Sequence, residues 1–268
     1  MLLIKYIPIA IIFFMVTTVF STCKNDVLVC YGKLNPNHIK GYKYVILESE
    51  QYSEAEVNLI KQHNELVLCY ISLGEVNEHS KSFSEFKHLV SDKNTTWNSY
   101  YLNITTDATR TVLKKIISKQ LEKGFDGLFL DNIDNYGSYG QQSDQRSDLI
   151  TFLDELRILY PAHFFMQNAG MELIDATYNK INAVAFESVA SDYRFKTQTY
   201  QVREFRNYKA YLNKIKLLHK NYKLPIILIE YADDYSLFKK IESRIKPTKW
   251  SYFIGKIELQ NVTKYSKK

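Results

Sequence analysis

The chain has 268 residues, is 46% apolar and carries a formal net charge of +6, enough to bury a full core in one large domain or two small ones. The Lys residues are scattered along helical segments, and no basic block is long enough for a nucleic-acid tail, so nucleic acid is not an expected partner. Three cysteines do not make a disulfide-stapled scaffold, and six dispersed His with no H-x-H or H-E-x-x-H spacing argue against a metal centre; no cofactor is expected.

The N-terminus reads as an export segment. Lys5 provides a positive start, and residues 7–20 form an uncharged apolar run. Three outcomes fit this pattern. One is a signal peptide cut after Ser21, and another is a lipoprotein with Cys23 as the lipidated residue. The third is an uncleaved anchor over residues 6–23, which barely reaches spanning length. Each sets residues 1–22 apart from one domain over 23–268. That domain is expected to be a monomer that is secreted, periplasmic or lipid-anchored at the cell envelope.

Past this segment, short apolar runs alternate with helical patterns. The runs are 27–31, 44–47, 66–72, 127–131, 164–168, 183–187, 225–230 and 250–254. Continuous apolar runs of this length are what strands buried on both faces look like. Cys30 and Cys69 sit inside two of them and read as small buried apolar residues. Between the runs, Ser53-Glu54-Ala55-Glu56 is a capping box. Asp107 caps a helix with an apolar stripe of Leu113, Ile116, Ile117 and Leu121, closed by Gly124. Leu149, Phe152, Leu153 and Leu156 form another stripe, and helices are predicted over 203–220 and 234–244. Strands alternating with helices pair in parallel through right-handed crossovers. Eight such units match a (β/α)₈ TIM barrel. An open doubly wound sheet is the alternative, weakened because no G-x-G-x-x-G turn follows any strand.

In a parallel barrel the working groups stand at the C-terminal strand ends. Here those ends are rich in acids and amides: Tyr31; Glu48 and Glu50; Glu75; Asp131, Asn132 and Asp134; Asn168; Glu187; then Glu230, Tyr231, Asp233 and Asp234. Glu48, Glu50 and Asp234 have a simpler explanation as helix caps. Asp131 and Glu187 do not, because each directly terminates an apolar run. A basic protein that gathers acids at one rim favours a neutral, hydroxyl-rich or cationic substrate over a phosphorylated one. The 21 Tyr and 15 Phe add amphipathic surface suited to sugars.

Two carboxylates can hydrolyse a glycosidic bond. Asp131 and Glu187 fall on the fourth and sixth strands, whose backbones would be roughly 9–10 Å apart. Inward-reaching side chains narrow that to a gap compatible with the ~5–5.5 Å of a retaining pair, without excluding the wider inverting one. No G-x-S-x-G elbow offers a competing nucleophile.

The stretches Cys69-Tyr70-Ile71-Ser72-Leu73-Gly74-Glu75, GFDGLFLDNIDNY (124–136) and Ala185-Phe186-Glu187-Ser188 resemble glycoside hydrolase family 114. That family comprises endo-α-1,4-polygalactosaminidases and their relatives, among them a hydrolase domain of an exopolysaccharide protein. The resemblance runs from about residue 27 to residue 257. It implies a (β/α)₈ barrel and an amino-sugar polysaccharide substrate, polycationic when deacetylated. It further implies Asp131 as nucleophile, Glu187 as acid/base, and a sugar-lining set of Tyr31, Glu75, Asn132, Asp134, Asn168, Glu230, Tyr231 and Asp233. Asp134 rivals Asp131, since one loop offers both acids. A non-catalytic glycan-binding or envelope protein on the same scaffold is the alternative function.

Overall fold

The structure, a computed structural model, describes residues 26–266. The export segment and Cys23 lie outside them. Eight parallel strands form one sheet in chain order: β1 (Val27–Cys30), β2 (Tyr44–Leu47), β3 (Leu66–Ser72), β4 (Gly127–Asp131), β5 (Phe164–Asn168), β6 (Ala183–Glu187), β7 (Ile226–Tyr231) and β8 (Ser251–Gly255). All eight coincide with the apolar runs, with ends shifted by one residue at β1, β7 and β8. β1, β2 and β7 are buried along their whole length, because helices cover the outer face while the opposite face packs into the barrel.

The sheet curls into a TIM barrel that is nearly closed. β8 and β1 share no ladder. Their seam is stitched by the Tyr31 amide donating to the Leu259 carbonyl at 2.7 Å and by the Ser251 hydroxyl donating to Asp26 at 3.3 Å. The backbones are so close there that a Cβ on Gly32 would sit 2.1 Å from the Gln260 carbonyl oxygen. Cys30 and Cys69 are free and buried. Both are paired opposite Leu47, on its two sides. They are therefore two strand spacings apart, roughly 9–10 Å, beyond the reach of a disulfide.

The helices follow their sequence signals with two differences. The capping box at Ser53 and Glu56 forms as expected, and Gly124 turns the chain at φ +94°. The cap of the Asp107–Leu121 helix, however, is Thr106. Its backbone is extended and its hydroxyl accepts from the Thr109 amide, which leaves Asp107 as the first helical residue. The β1–β2 crossover also lacks an α-helix and carries only the 3₁₀ turn Pro36–His38. Among the described residues, no helix is long and apolar enough to cross a membrane.

Two excursions rise from the C-terminal rim. A three-stranded antiparallel sheet (Glu75–Asn77, Val90–Asn94, Ser99–Leu102) follows β3, and a hairpin (Ser191–Arg194, Thr199–Val202) follows β6. Neither was expected from the sequence.

Gly127 opens β4 against the backbone of β5. A Cβ there would lie 1.8 Å from the Phe164 carbonyl oxygen and 2.7 Å from its nitrogen. No side chain can move aside to relieve a backbone clash. Gly127→Ala is expected to cost about 3 kcal/mol of stability. Denaturant unfolding checks this, and an unchanged midpoint would contradict it.

Candidate active site

Three neighbouring strands end on polar residues: β4 on Asp131, β5 on Asn168 and β6 on Glu187. The residue after each is non-glycine yet left-handed: Asn132 at φ 59°, Ala169 at φ 57° and Ser188 at φ 52°. Each chain thus leaves its strand abruptly after the polar residue, which stays at the barrel mouth. Left-handed backbone at non-glycine positions is costly and concentrates at functional sites.

Asn168 joins the two acids. Its single amide nitrogen donates to Asp131 Oδ1 at 2.7 Å and to Glu187 Oε1 at 2.6 Å. The two acceptor oxygens are therefore no farther apart than both bonds laid end to end, about 5.3 Å, which is short of the ~6.5–9.5 Å gap of inverting pairs. Asn168 is almost wholly buried, and its Oδ1 has no partner among the described residues. Turning the amide over would aim that oxygen at two carboxylates, so the donor side is fixed by charge.

Each acid has a tyrosine of its own. The Tyr70 hydroxyl donates to Asp131 Oδ2 at 2.9 Å, and the Tyr231 hydroxyl donates to Glu187 Oε2. Tyr31 packs on Tyr70 with ring centroids 4.6 Å apart. Its phenol is pushed well up by burial and then by the negative charges of Asp131, Glu187 and Glu48.

Burial and then the Asp131 charge raise the Glu187 carboxyl to about 7, against the opposing bonds from Tyr231 and Asn168. Asp131 is also raised by burial, held back by Asn168, the Asn132 amide and Tyr70. Glu187 thus keeps a proton at pH values where an exposed glutamate has lost it, beside an Asp131 whose carboxylate form is favoured by three hydrogen bonds against its burial.

The family model of glycoside-hydrolase family GH114 matches residues 27–268. The chain belongs to this family. It is a glycoside hydrolase. The glycoside hydrolase domain of PelA from Pseudomonas aeruginosa superposes on this GH114 barrel with a TM-score of 0.79 at 21% identity, over 90% of this chain and 99% of that one. Ega3 from Aspergillus fumigatus, solved in complex with galactosamine, superposes with a TM-score of 0.72 at 16% identity, over 90% of this chain and 95% of that one. An α-galactosidase from Thermus thermophilus follows with a TM-score of 0.55 at 10% identity, covering 89% of this chain and 58% of that one. At these identities the likeness concerns the fold. A search of curated proteins finds no match to the chain.

Around the GH114 carboxylate pair, the structure gathers Tyr31, Asn168 and Tyr231 at first contact or beside it. Asn132 accepts from the Ser72 hydroxyl at 2.7 Å and turns the chain behind Asp131. Asp134, on the 3₁₀ turn Ile133–Tyr136, is exposed and takes no part in the Asn168 bridge. Asp233 is exposed on the rim.

Two of the expected sugar-lining acids are placed inside instead. Glu75 is buried, accepting from Asn94, from Asn135 at 2.9 Å and from the Ser99 hydroxyl. Glu230 is fully buried and accepts from the amides of Ala190 and Ser191 and from the Ser191 hydroxyl. These acids anchor the two excursions to the barrel. Strand alternation explains Glu230: Tyr231 follows it in β7 and points to the opposite face, toward Glu187.

Tyr70 and Glu48 are the contributors that the sequence reading did not assign. Tyr70 shares a face of β3 with Ser72, whose register partner is Asp131, so the period-two pattern carried the signal. Glu48 does cap the Ser49–Gln51 turn, but burial also raises its carboxyl to about 7, and its charge bears on Tyr31 and Tyr70. Among the described residues no group of His, Cys, Asp and Glu has metal-holding geometry.

Glu187 predicts a pH profile. In the role of proton donor proposed below it must be protonated, so the rate should fall as pH rises through about 7. Tyr231→Phe removes a bond that favours the charged form, so that limb should move to higher pH, by about one pH unit. A limb that stays in place or moves down would remove Tyr231 from this role.

Proposed function

We propose that this GH114 protein is an exported, endo-acting glycosidase that cleaves α-1,4-linked galactosamine or N-acetylgalactosamine polysaccharide with retention of configuration. The observation that carries this reading is the Asn168 amide shared by Asp131 and Glu187, which holds one oxygen of each closer together than an inverting pair requires. Glu187 donates its proton to the leaving glycosidic oxygen while Asp131 attacks the anomeric carbon. The leaving sugar departs neutral and a glycosyl ester forms on Asp131. Glu187, now ionised, takes a proton from water, and the water displaces Asp131 and regenerates both acids.

The amino-sugar assignment draws support from electrostatics. Asp131, Asp134, Glu187 and Glu48 stand around one mouth on a chain of net charge +6. A polycation is attracted to such a mouth, and its amines favour ionised carboxylates there. A solved GH114-like structure bound to galactosamine points the same way. The polymer is too large to reach the cell interior, which fits export through the N-terminal segment.

The test is incubation with defined galactosamine and N-acetylgalactosamine oligomers, followed by mass spectrometry and by NMR of the first-formed anomer. Shortened α-anomeric products support the reading. Inverted β-products would replace the retaining step. Binding without any shortened product would favour a glycan-binding role.

A further inference from the structure

Trp97 and Phe195 stand at the tips of the two excursions. Trp97 lies in the turn between Val90–Asn94 and Ser99–Leu102, and Phe195 follows Ser191–Arg194 in the hairpin turn. Their rings meet edge to face with centroids 5.2 Å apart. Phe195 also meets Tyr193 at 5.0 Å, and Tyr193 pairs across the hairpin with Tyr200 at 4.7 Å. β3 and β6, which carry these excursions, are three places apart in an eight-stranded ring. The aromatic contact therefore reaches across the mouth in which Asp131 and Glu187 stand.

Folding alone does not account for this pair. Trp97 and Phe195 are each 48% exposed, and the flanking turn residues are polar. The hairpin already has its own cross-strand pair in Tyr193 and Tyr200. Large aromatics held half out of the core mark interaction surfaces. The edge-to-face arrangement leaves ring face uncovered, and an aromatic face with its negative quadrupole suits the C–H side of a sugar ring.

Both tips are tied to the catalytic centre. The three-stranded sheet is anchored through Glu75 to Asn135, four residues after Asp131. The hairpin is anchored through Ser191 to Glu230, and the Tyr231 amide donates to the Ser191 hydroxyl at 3.0 Å. Tyr231 in turn holds Glu187. A chain seated on the carboxylate pair must pass these tips as it leaves.

We propose that Trp97 and Phe195 form a sugar-stacking subsite that receives a pyranose ring of the glycan some units away from the scissile bond. This rests on the amino-sugar glycosidase reading and adds a length requirement to it. Short oligomers that fill only the catalytic position miss the aromatic tips, whereas longer ones gain them.

The test uses the full protein carrying Glu187→Gln, so that oligomers are bound without being cut. Calorimetric titration with galactosamine oligomers of increasing length should show affinity rising with length. Adding Trp97→Ala should weaken long oligomers by roughly tenfold and short ones much less. Phe195→Ala, on the other excursion, should do the same, and Trp97→Phe should restore most of the loss. Thermal melts identify a variant that fails to fold, and the second tip variant then carries the test. An unchanged length dependence in both tip variants overturns the subsite alone. Failure of the Glu187→Gln protein to bind galactosamine oligomers of any length overturns the substrate assignment, and the subsite with it.

Discussion

Glu187→Gln is expected to lower kcat by about 10³-fold on polymer while leaving the protein folded. Gln keeps the shape of Glu, and its one oxygen still accepts the Tyr231 hydroxyl, while its NH2 group cannot accept from Asn168, so one of the two local bonds is lost. What is lost is a proton that can be given to a leaving sugar oxygen, which is a poor leaving group without it. The loss should shrink on a substrate with an activated aryl leaving group, because that group needs no proton. The basic limb of the pH profile near 7 should vanish with the carboxyl.

Stability should move the other way above pH 4.5. In the wild type the folded chain keeps the Glu187 proton up to about 7, whereas an ordinary glutamate loses it near 4.5. Between those values the folded state holds more protons than the unfolded one, so wild-type stability falls as pH rises. Gln removes that slope. Melting curves at pH 5 and pH 8 would show it, and activity within a few-fold of wild type would sink the assignment of the acid.

Asp131→Asn should cost more, about 10⁴-fold or beyond, since it removes the proposed nucleophile itself. It should also lower the pH at which Glu187 titrates, because after burial the Asp131 charge does most to hold that proton on, ahead of the Asp134 charge. Asp134→Asn is the control. Asp134 is exposed and outside the Asn168 bridge, so its removal should leave most of the turnover rate. The opposite ranking of these two variants in steady-state kinetics would move the nucleophile to Asp134.

The barrel was legible because its strands are apolar without interruption, and burial on both faces demands that. The excursion strands were not. Val90–Asn94 reads Val-Ser-Asp-Lys-Asn, with one apolar residue and no alternation, and its residues are mostly exposed. Antiparallel pairing on a rim needs only backbone partners, so such strands leave little trace in composition. The same limit applies to the acids. A strand-end Glu can face the mouth or the loop beside it, and one residue of register decides which. Glu187 is the last residue of β6 and faces the mouth. Glu230 is one short of the end of β7 and serves the hairpin instead.

The first crossover illustrates a further limit. Periodicity suggests a helix after every strand, but the link from β1 to β2 is short and contains Pro36, which suits the start of a tight 3₁₀ turn. The cap at Thr106 is subtler, since Thr106 and Asp107 are both acceptable cap residues and only backbone angle separates them.

The left-handed residues Asn132, Ala169 and Ser188 have a consequence for mutational tolerance. Each occupies the position after a member of the carboxylate pair or after Asn168, which bridges it. Their first constraint is a backbone region that β-branched side chains avoid and that Gly, Asn and small residues enter at lower cost. Val or Ile there should disable the enzyme by re-aiming Asp131, Asn168 or Glu187. Libraries that aim to change glycan preference can leave these three positions fixed and spend their diversity on the rim.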